Sequence, residues 1–136
     1  MEAWFGVIEF HLDPASGVAT YLQLVHQVHE ALRLGLLEVG DRLPTAQQVV
    51  GALAINPNTV LKAYRDLERQ GLVRARPGLG TFVVGGLQRT NPEAQARFRR
   101  SITAWLRQAR DSGLTPDEIE AIYRNAFRNL FAEGVA

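Results

Sequence analysis

The residues best suited to molecular recognition begin at Asn56–Val60, where two asparagines and a threonine precede a run of basic side chains. From Asn58 onward, polar and basic residues recur at i, i+4 and i+7, a spacing that places them on one face of a helix. An asparagine amide can make two hydrogen bonds to adenine, and the Lys62 ammonium can donate to the acceptor atoms of guanine. This face is therefore predicted to read base edges in the major groove of DNA. The face comprises Asn58, Lys62, Arg65 and Arg69. The residues of this helix and its start that are predicted to contact DNA are Asn56, Asn58, Thr59, Lys62 and Arg65.

A second group of candidate residues surrounds a glycine-containing turn. Leu72–Arg76 and Thr81–Val84 are short β-prone runs, and Pro77–Gly80 between them predicts a hairpin loop. Glycines let the backbone approach another surface closely, and arginine guanidinium groups suit phosphates or a narrow minor groove. This hairpin and the residues before the second helix should therefore supply backbone and minor-groove contacts to the same duplex. The predicted members are Arg42, Thr45, Arg76, Gly78, Gly80 and Thr81.

The distribution of charge supports this assignment more than the net charge of +1 does. Residues 1–41 carry one arginine against six acidic side chains, so this part of the chain repels phosphate. Residues 42–89 carry seven basic side chains against two acidic ones, and residues 90–136 carry seven arginines against six acids. The candidate polyanion surface is thus confined to the middle of the chain.

Several other function classes find no support in the sequence. The chain has no cysteine, which excludes disulfides, thiolate metal sites and cysteine nucleophiles. His26 and His29 share a helix face, but no third ligand pattern accompanies them, so polar surface is the favoured interpretation. There is no phosphate-cradling motif and no nucleophile with a paired base. We therefore expect neither enzymatic activity nor a cofactor or metal.

Hydropathy and the first residues indicate where the protein works. No run of about 18 consecutive apolar residues is present, and the N-terminus lacks the basic region and apolar core of a signal peptide. These features predict a cytoplasmic protein without a membrane partner.

Three helices must position the candidate residues. Apolar residues recur with helical spacing from Thr20 until Gly35, which predicts the first helix. Thr45 and Gln48 form a capping box that begins a second helix at 46–53. A third helix should start at Asn56-Pro57 and end before Gly71. Because only two residues separate the second and third helices, they should cross steeply, as in a helix-turn-helix.

The regions on either side of this module are predicted separately. Residues 1–12 are aromatic and β-branched, which favours an extended arm or short strand. Two further helices are expected, one from Asn91-Pro92 to Ser112-Gly113 and one from Thr115-Pro116 onward. Their apolar stripes are too broad for two short helices to hide alone, so they are predicted to form a homodimer interface. Its expected members are Phe98, Ile102, Trp105, Leu106, Ile119, Ile122, Tyr123, Phe127 and Leu130.

The predicted fold class is accordingly mainly α with a small β hairpin. Residues 1–86 form an N-terminal arm and a winged helix-turn-helix, and residues 87–136 form a short helical dimerisation domain.

Three stretches of the chain, 35–45, 58–73 and 76–83, closely resemble the GntR family of bacterial transcription regulators. The Asn-Pro-Asn-Thr-Val sequence and a C-terminal part of only two helices are similar to the YtrA subfamily. The resemblance implies a dimeric repressor that binds operator DNA, often at a neighbouring transporter operon. Gln47 and Pro57 stand where many family members carry arginine, so the base-reading role of those positions does not transfer.

Simpler interpretations stay open at this point. Asn56 and Thr45 could serve only as helix caps, and the basic residues of the third helix could be an ordinary solvated face. A winged helix can also serve as a protein-interaction module without DNA binding. Nothing in the sequence identifies an effector, an operator or the regulated genes.

Overall fold

The structure, a computed structural model, describes residues 8–132 as five α-helices and one antiparallel hairpin. Contacts divide the chain into two compact units, one ending at Pro92 and one beginning at Glu93. This architecture confirms the predicted fold class, a mainly helical winged helix-turn-helix with two further helices. The elements are α1 (Thr20–Arg33), α2 (Ala46–Leu53), α3 (Pro57–Arg69), β1 (Val73–Arg76), β2 (Gly80–Val83), α4 (Pro92–Asp111) and α5 (Pro116–Ala132).

Local capping explains where the helices of the first unit begin and end. The Thr45 hydroxyl accepts the backbone N–H of Gln48, whose side chain accepts the N–H of Thr45, so the capping box at α2 is complete. At α3 the Asn56 side chain accepts a backbone N–H at 2.8 Å and Pro57 occupies the first helical position. Gly71 follows α3 with a φ of 78°, a left-handed conformation in which glycine has no steric penalty.

The core of the first unit joins α1, α2, α3 and the hairpin. Its largest fully buried side chains are aliphatic, which is the composition expected for close packing without unsatisfied polar groups. They are Leu24, Val28, Leu37, Leu43, Val60, Leu67, Val73 and Val83.

The N-terminal arm packs on this core without forming a strand in its described part. Phe10 is buried, and the side chain of Gln27 bonds both the N–H and the carbonyl oxygen of His11. Residues 8–13 have no regular secondary structure, which agrees with an arm rather than a strand, and the part of this prediction on residues 1–7 lies outside the described chain.

The hairpin pairs Val73 with Val83 and Arg76 with Gly80, leaving a three-residue loop at its tip. The backbone at 40–43 lies along the other edge of β2: Gly40 donates to the carbonyl of Val83 at 2.9 Å, and Leu43 donates to that of Thr81 at 2.8 Å. The wing is therefore connected directly to the loop before α2.

The residues after the wing stay on the first unit. Leu87 packs against the core, and both Val84 and Gly85 donate their backbone N–H to the carbonyl of Leu72. These contacts attach the residues after the wing to the first unit. The structure accordingly divides into compact units between residues 92 and 93, whereas the predicted domain boundary lies between residues 86 and 87. A functional division into DNA-binding and dimerisation parts remains a prediction.

The second unit leaves most of its apolar side chains exposed. Ala109 is its one buried hydrophobic residue within the described chain, whereas Phe98 and Leu130 are 63% and 66% exposed. Tyr123, Phe127 and Phe131 form a ladder along α5, with ring centroids 5.8 and 4.6 Å apart. No helix among residues 8–132 is long and apolar enough to cross a membrane.

Candidate nucleic-acid interface

The start of α3 presents amide side chains to solvent. Asn58 is exposed and Thr59 is partly buried, while the core side of the helix is formed by Val60 and Leu67. Asn56 caps the helix through its side-chain oxygen, as the capping interpretation predicted. This bond uses only the oxygen of the Asn56 amide. The amide nitrogen can still donate a hydrogen bond to DNA, so capping and DNA contact are compatible.

Lys62, the predicted guanine reader, makes a contact that the sequence did not indicate. Its Nζ lies 4.0 Å from the centroid of the Tyr21 ring in the first turn of α1. A cation over an aromatic face at this distance is attracted by the ring's negative π surface. Lys62 is itself exposed, so Tyr21 holds the ammonium group at the surface beside α3.

Two arginines on the same face of α3 differ in their surroundings. Arg69 forms an ion pair with Asp66, one turn earlier in the helix, and the Arg69 side chain is 71% exposed. Arg65 is also exposed and makes no ion pair among the described residues. Arg65 is therefore the better candidate for a phosphate or base contact, and Arg69 is partly neutralised.

Arg42 and the wing form one basic surface. A Cβ built at Gly80 would lie 2.9 Å from Nε of Arg42, so the arginine side chain passes directly over this glycine. Gly80 has a φ of 124°, which non-glycine residues rarely adopt. On the same hairpin the Arg76 guanidinium lies 5.3 Å from the ring centroid of Phe82. The structure thus brings Arg42, Gly80 and Arg76 together, as a joint role in phosphate binding requires.

The elements that carry these residues are tied to one another. The buried Tyr64 hydroxyl donates to the carbonyl of Pro44 at 2.6 Å, which fixes α3 to the loop before α2. Burial raises the pKa of Tyr64 well above its usual range, so the hydroxyl stays protonated and remains a donor. A Glu68 carboxylate oxygen accepts the N–H of Ala75 at 3.1 Å, which fixes the wing to α3. These two hydrogen bonds therefore connect α3 to both the loop before α2 and the wing.

The remaining predicted residues lie in the same module. Thr45 caps α2 and is partly buried, and Thr81 is partly buried in β2. Gly78 lies in the loop at the tip of the hairpin with a φ of 75°. His29 contacts the Gln70 side chain at 2.6 Å, and no cluster of potential metal ligands occurs within residues 8–132.

Comparison with known proteins shows the family to which the chain belongs. The family model for "Bacterial regulatory proteins, gntR family" matches residues 20–83. The HTH-type transcriptional regulator Rv1152 of Mycobacterium tuberculosis is 35% identical over 107 residues, 79% of this chain and 84% of that protein. The chain belongs to the GntR family. The resemblance noted in the sequence is thereby confirmed, and the chain is a GntR-family DNA-binding transcription regulator.

Other similar proteins indicate the branch of the family. The HTH-type transcriptional repressor YtrA of Bacillus subtilis is 38% identical over 72 residues, 53% of this chain. That match spans only 55% of the YtrA relative. Among solved structures, YtrA from Sulfolobus acidocaldarius superimposes with a TM-score of 0.52 at 26% identity, covering 71% of this chain and 96% of that one. A transcriptional antiterminator from Listeria monocytogenes gives a TM-score of 0.56 at 25% identity, covering 90% of this chain and 92% of that one. A YtrA-like GntR regulator with a winged helix fold is thus the appropriate description.

Proposed function

We propose that this regulator is a cytoplasmic homodimeric repressor that binds a twofold-symmetric operator. The observation that carries the proposal is the joined surface of α3 and the wing, where exposed amide and basic side chains are held by contacts from α1, the Pro44 loop and Glu68. A protein-interaction role would not require this combination of a basic wing and an amide-rich helix start.

In this proposal α3 enters the major groove and its first turns read the bases. Asn58, Thr59 and Lys62 contact base edges, while Arg65 extends the contact along the helix. The wing, Thr45 and Arg42 hold the sugar-phosphate backbone and add affinity more than discrimination. The wing residues assigned to this role are Arg76, Gly78, Gly80 and Thr81.

The apolar face of the second unit is proposed to bind a second copy of the chain. An isologous dimer would cover matching faces and present two α3 helices to two half-sites about one helical turn apart. Seven of the nine proposed interface residues are exposed, for example Ile102 at 40% and Phe127 at 50%, and the other two, Trp105 and Ile119, are partly buried. The proposed interface is Phe98, Ile102, Trp105, Leu106, Ile119, Ile122, Tyr123, Phe127 and Leu130.

The direction of regulation is supported by a relative rather than by geometry. The similar Bacillus subtilis protein is a transcriptional repressor, and we extend that role to this chain. Repression would be explained by an operator that lies between the promoter and the gene start and overlaps the site bound by RNA polymerase. A transporter-type operon is the proposed target.

DNA binding can be tested with a duplex from the protein's own promoter. Affinity should fall steeply as salt rises, because phosphate contacts release counterions. Lys62→Ala should weaken operator binding about 5- to 150-fold, the equivalent of about 1–3 kcal/mol for a base contact. Arg76→Ala should weaken binding to all duplexes and reduce the salt dependence. Arg128→Ala, an exposed arginine of α5, is the matched control and should bind as the unchanged chain does.

Dimerisation is tested independently by a charge in the apolar face. Phe127→Glu should yield monomers in sedimentation equilibrium, because a carboxylate cannot be desolvated there without a partner. Arg128→Ala should remain dimeric. If Phe127→Glu stayed dimeric at micromolar concentration, the interface would have to lie elsewhere in the chain.

A further inference from the structure

One large apolar side chain stands on the otherwise polar face of the recognition helix α3. Leu61 is 42% exposed, and it lies outside the buried side of the helix, which includes Val60, Ala63 and Leu67. The other exposed large hydrophobic residues described in the first unit lie in loops, namely Val18, Leu36, Val39 and Leu79. Leu61 is thus the single one on a helix in that unit's described part.

The position of Leu61 places it among the proposed base readers. It follows Asn58 by three residues and precedes Arg65 by four, and both spacings bring side chains together on a helix surface. Pro57 lies four residues before it in the first turn of α3 and is also exposed. Pro57 and Leu61 therefore form a short apolar strip that runs beside the hydrogen-bonding groups.

An apolar strip at this place has a specific counterpart in DNA. The thymine C5-methyl group is the apolar group that base pairs present in the major groove, whereas the other groove groups there are hydrogen-bond donors and acceptors. Leucine pressed against those polar groups would leave them without partners, at a cost in free energy. Contact with a methyl group instead removes apolar surface of both partners from water.

We propose that Leu61 is a specificity-determining residue that recognises a thymine methyl in each operator half-site. This inference rests on the proposed operator binding through α3.

The experiment uses the full-length protein and a duplex selected by that protein from a random library. Each thymine is replaced singly by deoxyuridine, which deletes only the methyl group and keeps the base pair. At one position in each half-site the replacement should weaken binding about fourfold, the equivalent of about 0.8 kcal/mol for one buried methyl. Leu61→Ala should bind more weakly and lose its response to deoxyuridine at that position alone.

Two control variants separate this contact from general effects. Leu36→Ala removes an exposed leucine of the same unit that is 49% exposed and should keep the wild-type deoxyuridine profile. Leu61→Met, which retains an apolar side chain of similar volume, should keep the response at the critical position. Because Leu61 does not belong to the buried core, the Leu61→Ala chain should retain its dimer and its thermal unfolding midpoint.

The outcomes are distinguishable. If the protein selects a specific duplex but no deoxyuridine weakens binding, or if Leu61→Ala responds as the wild type does, the Leu61 assignment is overturned and operator binding stands. If no duplex is preferred over random DNA, the proposed function itself fails, and the inference fails with it.

Discussion

Gly85 and Gly86 are adjacent in sequence but occupy different surroundings, so an alanine should have different effects on stability at the two positions. A Cβ on Gly85 would lie 2.4 Å from the carbonyl oxygen of Gly71, a backbone atom at the end of α3. A Cβ on Gly86 would meet nothing within 4 Å. The N–H groups of Val84 and Gly85 donate to the carbonyl of Leu72, at 2.9 and 3.2 Å, so the chain after the wing cannot move away without losing these bonds.

Gly85→Ala should therefore destabilise the protein by about 1–3 kcal/mol, the usual cost of forcing extra atoms into a packed site. For a unit of this size each kcal/mol corresponds to about 4–8 °C, so the unfolding midpoint should fall by roughly 5–20 °C. Gly86→Ala should change it little, or raise it slightly, because alanine restricts the unfolded chain by about 0.4–1 kcal/mol. Thermal unfolding followed by circular dichroism measures both variants under the same conditions.

The same substitution should affect function, since Gly85 seats the end of the wing against α3. In duplex titrations below the unfolding transition, Gly85→Ala should bind DNA more weakly than Gly86→Ala. Equal midpoints for the two alanine variants would show that the close approach of Gly85 to Gly71 does not constrain the fold, and the reasoning would be refuted.

Three further predictions concern contacts around the DNA-binding surface and the second unit. Tyr21→Leu should weaken DNA binding about two- to fivefold in duplex titrations, because a cation–π contact with Lys62 contributes about 0.5–1 kcal/mol. Tyr21→Phe keeps an aromatic ring at this position and should preserve the affinity in the same titration. Tyr64→Phe should lower the free energy of unfolding by about 1–2 kcal/mol, since the buried Pro44 carbonyl loses its donor; chemical denaturation measures this, and an unchanged midpoint would contradict it. Hydrogen bonds from Thr115 lower the pKa of Glu118, so their support of α5 should be lost as the pH falls through that lowered value. The protection factors of amides at the start of α5, corrected for the pH dependence of intrinsic exchange, should then fall, but not in Glu118→Gln, which cannot titrate.

Much of the fold could be predicted because its signals are local. The capping box at Thr45, the Asn56-Pro57 start of α3 and the glycine after it each involve residues within one turn of a helix. The basic character of residues 42–89 is likewise a property of composition. For these reasons the helix boundaries and the candidate DNA-binding face can be predicted without any tertiary contact.

The details of the candidate site depend on residues that are distant in sequence. Tyr21 meets Lys62 across α1 and α3, and Arg42 meets Gly80 only because the loop before α2 pairs with the wing. No local pattern indicates either contact. The helical spacing of α3 likewise does not show whether Leu61 is buried, and only its exposure in the structure shows that it lies outside the core.

By itself, the sequence determined the order of the elements, the helix caps and the family, since these follow from short-range hydrogen bonding, periodicity and motif spacing. Tertiary structure alone decided that Lys62 lies against Tyr21, that Arg42 lies over Gly80 of the wing, and that Gly85 packs against the backbone of Gly71. The physical reason is that such contacts are set by the packing of whole elements, which brings distant side chains together at distances that no local spacing encodes.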